Sequence, residues 1–193
     1  LLFVHEMGHV IALRREGIRA SAPLFVPFLG AVIGARSLGE NALAEARVGL
    51  AGPVLGAVGA AASAALYLAT GDTLFEALAY FGFFLNLFNL LPVVPLDGGR
   101  AMAAVAPAMW FVGLLAVVPL IFLLHGSVIL PLVLILGGYE AIKRWRLRGT
   151  RSLEQAAYYR VSRRNRLLVL VVYVGLIVAL AVGMQATYLP RTL

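Results

Sequence analysis

Long apolar stretches dominate this chain, and short clusters of Pro, Gly and basic residues separate them. Of its 193 residues 62% are hydrophobic and 13% charged, where an ordinary soluble domain carries about 25% charged residues. That balance reads as an integral membrane protein, which in lipid must satisfy its backbone within helices or a closed barrel. The net charge of +7 would suit nucleic acid, but the basic residues flank apolar spans and have no aromatic-rich RNA-binding pattern among them. Nucleic acid is therefore excluded as a partner in favour of a lipid bilayer. Cysteine is absent, so any metal ligand must come from His, Asp, Glu or backbone.

The spacing predicts an all-α polytopic membrane protein of about six transmembrane helices. A first helix ends near Arg14–Gly17. Further spans are expected at about 48–68, 74–91, 108–124, 128–142 and 167–186. Residues 18–46 hold Pro23, Pro27 and several glycines, too broken to span, and read as a re-entrant loop or a β-hairpin between the first two helices. Thr70-Gly71-Asp72 reads as a turn. Threaded in order, the spans put every Lys and Arg except Arg191 on one face, including the basic loop at 143–166. That face is expected to be cytoplasmic, which places the chain in the cell membrane as a multi-pass protein. The residues before Arg14 make only about 20 Å of helix against a core of about 30 Å. The first helix is thus expected to be truncated.

Inside that first helix lies His5-Glu6-Met7-Gly8-His9. Residues four apart share a helix face, so His5 and His9 can offer two imidazole nitrogens to one metal ion. Glu6 can reach a water bound to that metal. Zinc with an open coordination position makes such a water nucleophilic near neutral pH.

A catalytic zinc needs a third protein ligand. His125, Asp72 and Glu76 fall on the opposite membrane face, and Glu140 more naturally pairs with Lys143 or Arg144. Asp97 is the remaining candidate, within Asn89-Leu90-Leu91-Pro92-Val93-Val94-Pro95-Leu96-Asp97-Gly98-Gly99-Arg100. A carboxylate beside an apolar run is costly unless paired or metal-bound. The alternative is that Asp97 simply terminates a turn before two glycines. Depth favours coordination: His5 and His9 precede Arg14 by about 13 and 7 Å of helix, and Asp97 lies just before Arg100.

H-E-x-x-H in an apolar helix, followed by N-x-x-P-x-x-P-L-D-G-G in a later one, resembles the site-2 protease family of intramembrane zinc metalloproteases. Ala51-Gly52-Pro53 looks like that family's A-G-P element, and Gly56 stands where the family often has Asn. The resemblance covers residues 1–105, a catalytic membrane core. Residues 106–193 add transmembrane helices. It implies one Zn2+ held by His5, His9 and Asp97, with Glu6 as general base. It also implies a membrane-anchored protein substrate cut in or near its transmembrane segment, at a site opening toward the cytoplasm. Asn89 reads either as an amide donor to substrate and oxyanion or as an interhelical hydrogen-bonding group; Asn86, one turn earlier, reads as structural. The broken segment 22–36 could hold unwound substrate as an added strand. Three rival readings are a membrane metal-ion transporter, a catalytically inactive membrane scaffold and a soluble zincin, the last opposed by the apolar spans after residue 47.

Overall fold

Asn41 starts the longest helix by accepting a hydrogen bond from the Ala44 amide at 3.0 Å, a cap that satisfies one of the orphan N–H groups of a first turn. A computed structural model of the chain describes residues 1–26, 30–32, 34, 39–106, 108–123, 129–146 and 153–188. Pro27, His125 and Arg191, named above, lie outside the described residues. The elements run α1 (Leu2–Arg15), β1 (Leu24–Val26), β2 (Gly30–Val32), α2 (Ala42–Thr70), α3 (Thr73–Asn89), α4 (Asp97–Val105), α5 (Met109–Leu123), α6 (Ile129–Arg146), α7 (Leu153–Tyr158) and α8 (Arg163–Ala186).

Helix α2 begins at Ala42, not near residue 48. The polar turn carrying Glu45 and Arg47 is helical because Asn41 caps it and because Glu45, buried, accepts a hydrogen bond from the Tyr158 hydroxyl. The helix ends at Gly71, whose φ of 69° is the left-handed conformation glycine adopts readily. Asp72 then caps α3 by accepting from the Leu74 amide at 2.9 Å. The Thr70-Gly71-Asp72 turn of the sequence is thereby formed.

In the segment before α2, β1 and β2 pair antiparallel, with Phe25 opposite Ala31. After α3 the chain passes Pro92 and Pro95 and re-enters a helix at Asp97. Asp97 therefore opens α4, where the sequence alone allowed it to end a turn. Gly98 and Gly99 let the first turn of α4 pass against the backbone of Leu90 and Val93, where any Cβ would collide.

Helix α2 is the centre of the molecule. It packs on α1, α3 and α4, and α8 lies against α2, α3 and α4. One core cluster fills this space, including Leu50, Ala60, Phe83, Leu90, Met102 and Leu180. A second, around Val93, Val117, Leu130 and Val133, joins α5 and α6 to the proline turn. Two side chains pin helices to this turn region: Tyr173 of α8 donates to the Leu90 carbonyl, and Trp110 of α5 donates to the Gly99 carbonyl at 2.8 Å.

Among the described residues, two helices are long and apolar enough to cross a bilayer, α2 and α8. Helices α1, α3 and α5 have 14, 17 and 15 residues, short of the ~20 that a perpendicular span requires. Helix α6 has 18 but includes charged residues at its C-terminal end. The fold is helical as expected, and of the six expected spans two meet this length and composition among the described residues.

Candidate metal centre

His5 and His9 lie one turn apart on the face of α1 that meets α2, and both are buried. Their rings sit edge to face with centroids 4.9 Å apart, so both Nε2 atoms aim at one point. The other nitrogen of each ring is occupied. His9 Nδ1 lies 2.8 Å from the Val48 carbonyl oxygen of α2. His5 Nδ1 lies 2.8 Å from Asn86 Oδ1 of α3.

Asp97, at the start of α4, completes the cluster. Its Oδ2 is 3.1 Å from His5 Nε2 and 3.2 Å from His9 Nε2, and the two Nε2 atoms are 3.2 Å apart. These distances form a nearly equilateral triangle. A tetrahedral zinc with bonds of about 2.0–2.1 Å has ligand–ligand edges of about 3.3 Å, so the triangle is one face of such a site. A proton on one Nε2 can bridge only one pair of these acceptors at a time, whereas a cation satisfies all three. Among the described residues, these three are the group whose side chains can together hold a metal ion.

The surroundings divide the labour of the carboxylate. Asp97 Oδ2 faces the histidines, and Oδ1 faces Arg100 Nη1 at 3.7 Å. Glu6 is half-buried and within electrostatic range of His5, His9, Asp97 and Arg100. Gly52 forms the α2 wall in front of the imidazoles: a Cβ there would overlap His9 Nε2 and stand 2.8 Å from His5 Nε2. Asn89, the last residue of α3, is half-buried and lines a small recess with His5 and Asn86.

Three participants were not read from the sequence: the Val48 carbonyl, Gly52 as a wall, and Asn86 as a partner of His5. Asn86 did leave a signal. A polar side chain inside Phe83-Phe84-Leu85-Asn86-Leu87-Phe88 is costly to bury without a partner, and among the described residues it is one of the few buried polar ones. A backbone carbonyl leaves no comparable trace.

Two buried histidines and a buried carboxylate lie where one metal ion could be held, with a glutamate next to the first histidine in the sequence. Residues 69–124 match the family model described as peptidase family M50, and the site-2 protease resemblance is shown over that stretch. It contains Asn89, Asp97 and the glycines after it, while His5, Glu6 and His9 precede it. The family points to a membrane-associated metalloprotease acting on protein substrate. Among curated proteins, none matches the chain significantly.

Proposed function

We propose that this chain is an intramembrane zinc metalloprotease of the site-2 type, hydrolysing a peptide bond in or near the transmembrane segment of a membrane-anchored protein. The observation that carries this reading is the triangle of His5 Nε2, His9 Nε2 and Asp97 Oδ2 with sides of 3.1–3.2 Å, beside Glu6. His5, His9 and Asp97 would hold one Zn2+. Such an ion, when bound, supplies Lewis acidity that activates water and polarises a carbonyl. Glu6 accepts the proton of the attacking water and delivers it to the leaving amine. The Asn89 amide, at the edge of the recess beside His5, hydrogen-bonds the substrate backbone or its developing oxyanion.

The membrane setting is supported by the outer surface of α8, where Leu167, Val171, Val178 and Val182 are 61%, 59%, 56% and 63% exposed. An apolar surface this continuous is stable only against lipid or another protein. With the one-sided Lys and Arg distribution, it supports a multi-pass plasma-membrane protein whose site opens to the cytoplasm. In this arrangement α3, α5 and α6 join α1, α2 and α8 across the bilayer to make six spans. Residues 1–105 form the catalytic core and 106–193 brace it. Helical substrate must unwind before attack, because a helical carbonyl is already hydrogen-bonded. The β1–β2 hairpin offers strand edges on which an extended segment can add. A metal transporter has no use for a carboxylate beside the first histidine, so Glu6 argues for hydrolysis over the transporter and scaffold readings.

The test is metal analysis of the purified full chain in detergent. One zinc per chain in the wild type, lost in Asp97→Ala, is the expected result. Zinc retained by Asp97→Ala would remove the carboxylate from the site and the reading with it.

A further inference from the structure

We propose that Asn86 is the positioning residue for His5: its side-chain amide fixes the imidazole with the proton on Nδ1, leaving Nε2 as the metal-facing lone pair, and Gly56 exists as a glycine to make room for that amide. The inference rests on His5 being a metal ligand.

Asn86 presents a side-chain amide to His5. Its oxygen and nitrogen have the same shape, so their assignment comes from their partners. Asn86 Nδ2 lies 2.7 Å from the Gly82 carbonyl oxygen, one turn back on α3. A carbonyl can only accept, so the group facing it is the NH2, and the group facing His5 is Oδ1. Asn86 Oδ1 in turn can only accept, at 2.8 Å from His5 Nδ1. His5 must therefore carry its proton on Nδ1. In a neutral imidazole that leaves Nε2 without a proton, and Nε2 is the atom that faces Asp97 and His9. The direction of the chain is set from its far end, at a helix carbonyl that cannot reverse. His9 reaches the same tautomer through the Val48 carbonyl. The two ligands are thus oriented by different neighbours, one by α2 backbone and one by an α3 side chain.

Gly56 is the second, independent observation. It is buried on α2 directly opposite Asn86. A Cβ at this position would overlap Asn86 Oδ1 and stand 2.6 Å from both its Cγ and its Nδ2. The obstacle is the amide itself, so any side chain at 56 displaces the group that holds His5. Position 56 touches neither histidine through this contact and acts on the site through Asn86.

Partners that orient a metal-ligating His typically change metal affinity by about 10–100-fold when removed. The experiment measures zinc affinity of the full chain in detergent micelles by competition with a chromogenic chelator, with helix content checked by circular dichroism. Asn86→Ala and Gly56→Ala are each expected to weaken zinc binding by about 10–100-fold. Gly56→Ala in the Asn86→Ala background is expected to weaken it no further. Unchanged zinc affinity in folded Asn86→Ala, or an equal additional loss from Gly56→Ala in that background, overturns the proposal. Nitrogen-15 NMR of metal-free wild type needs no variant. A proton on His5 Nδ1 is the expected signature, and an Nδ1 that carries no proton refutes it. Wild type that binds no zinc overturns the metal reading as well, whereas wild type that binds zinc beside an unaffected Asn86→Ala overturns this inference alone.

Discussion

The Val48 carbonyl oxygen accepts from His9 Nδ1 across 2.8 Å, joining a backbone atom of α2 to a side chain of α1 separated from it by the whole β1–β2 segment. A backbone acceptor holds a ring without a side chain whose rotamer must itself be ordered. Pro53 lies in the same part of α2 and lacks the N–H that a helix uses for its ladder. The face of α2 that meets α1 carries Val48, Ala51 and Gly52, and it does two things at once: it accepts from His9 and clears space before the imidazoles.

Gly52→Ala tests the second of these. The added methyl overlaps His9 Nε2, so one imidazole must turn away from the donor triangle. Zinc affinity is expected to fall at least as far as for loss of a supporting group, about tenfold or more, while helix content stays that of wild type. Chelator competition measures the first and circular dichroism the second.

Glu6→Gln separates metal binding from chemistry. The amide keeps the size of the carboxylate but cannot accept the proton of water. Zinc content should equal that of wild type, and cleavage of a tethered membrane-anchored substrate should drop by about 10²–10⁴-fold, the usual contribution of a general base. Cleavage at the wild-type rate would disqualify Glu6.

Tyr173→Phe addresses how α8 is held. The hydroxyl donates to the Leu90 carbonyl at the end of α3, and removing it leaves a buried acceptor unpaired. The expected loss is about 1–3 kcal/mol of stability, read as a lower midpoint in thermal denaturation in detergent. Zinc stoichiometry should be unaffected, because Tyr173 touches none of the three ligands.

Arg47→Ala is expected to do little. Its ion pair with Glu16, at 3.2 Å, involves an arginine side chain that is 58% exposed, and exposed pairs are worth about 0–1 kcal/mol. A thermal midpoint and zinc affinity close to wild type are the expected readings; a large loss of either would show that this pair bears on the site.

Whatever depends on neighbours along one helix was legible from the residues alone. His5 and His9 share a face because four residues nearly complete a turn, and Glu6 follows from the same register. The Thr70-Gly71-Asp72 turn was equally local, since glycine and a capping aspartate act within a few residues. What crosses between helices came from their packing. The side chain of Asp97 reaches the histidines because α4 starts at that residue after the two prolines and packs on α2. Asn86 is a partner of His5 instead of a structural amide because α3 crosses α2 at Gly56. The bond that satisfies buried Glu45 in the first turn of α2 comes from Tyr158, far along the chain. The physical reason is that helical periodicity repeats over a few residues and can be counted, whereas the meeting of α1, α2, α3 and α4 at one point is set by packing between surfaces whose relative position no local pattern contains.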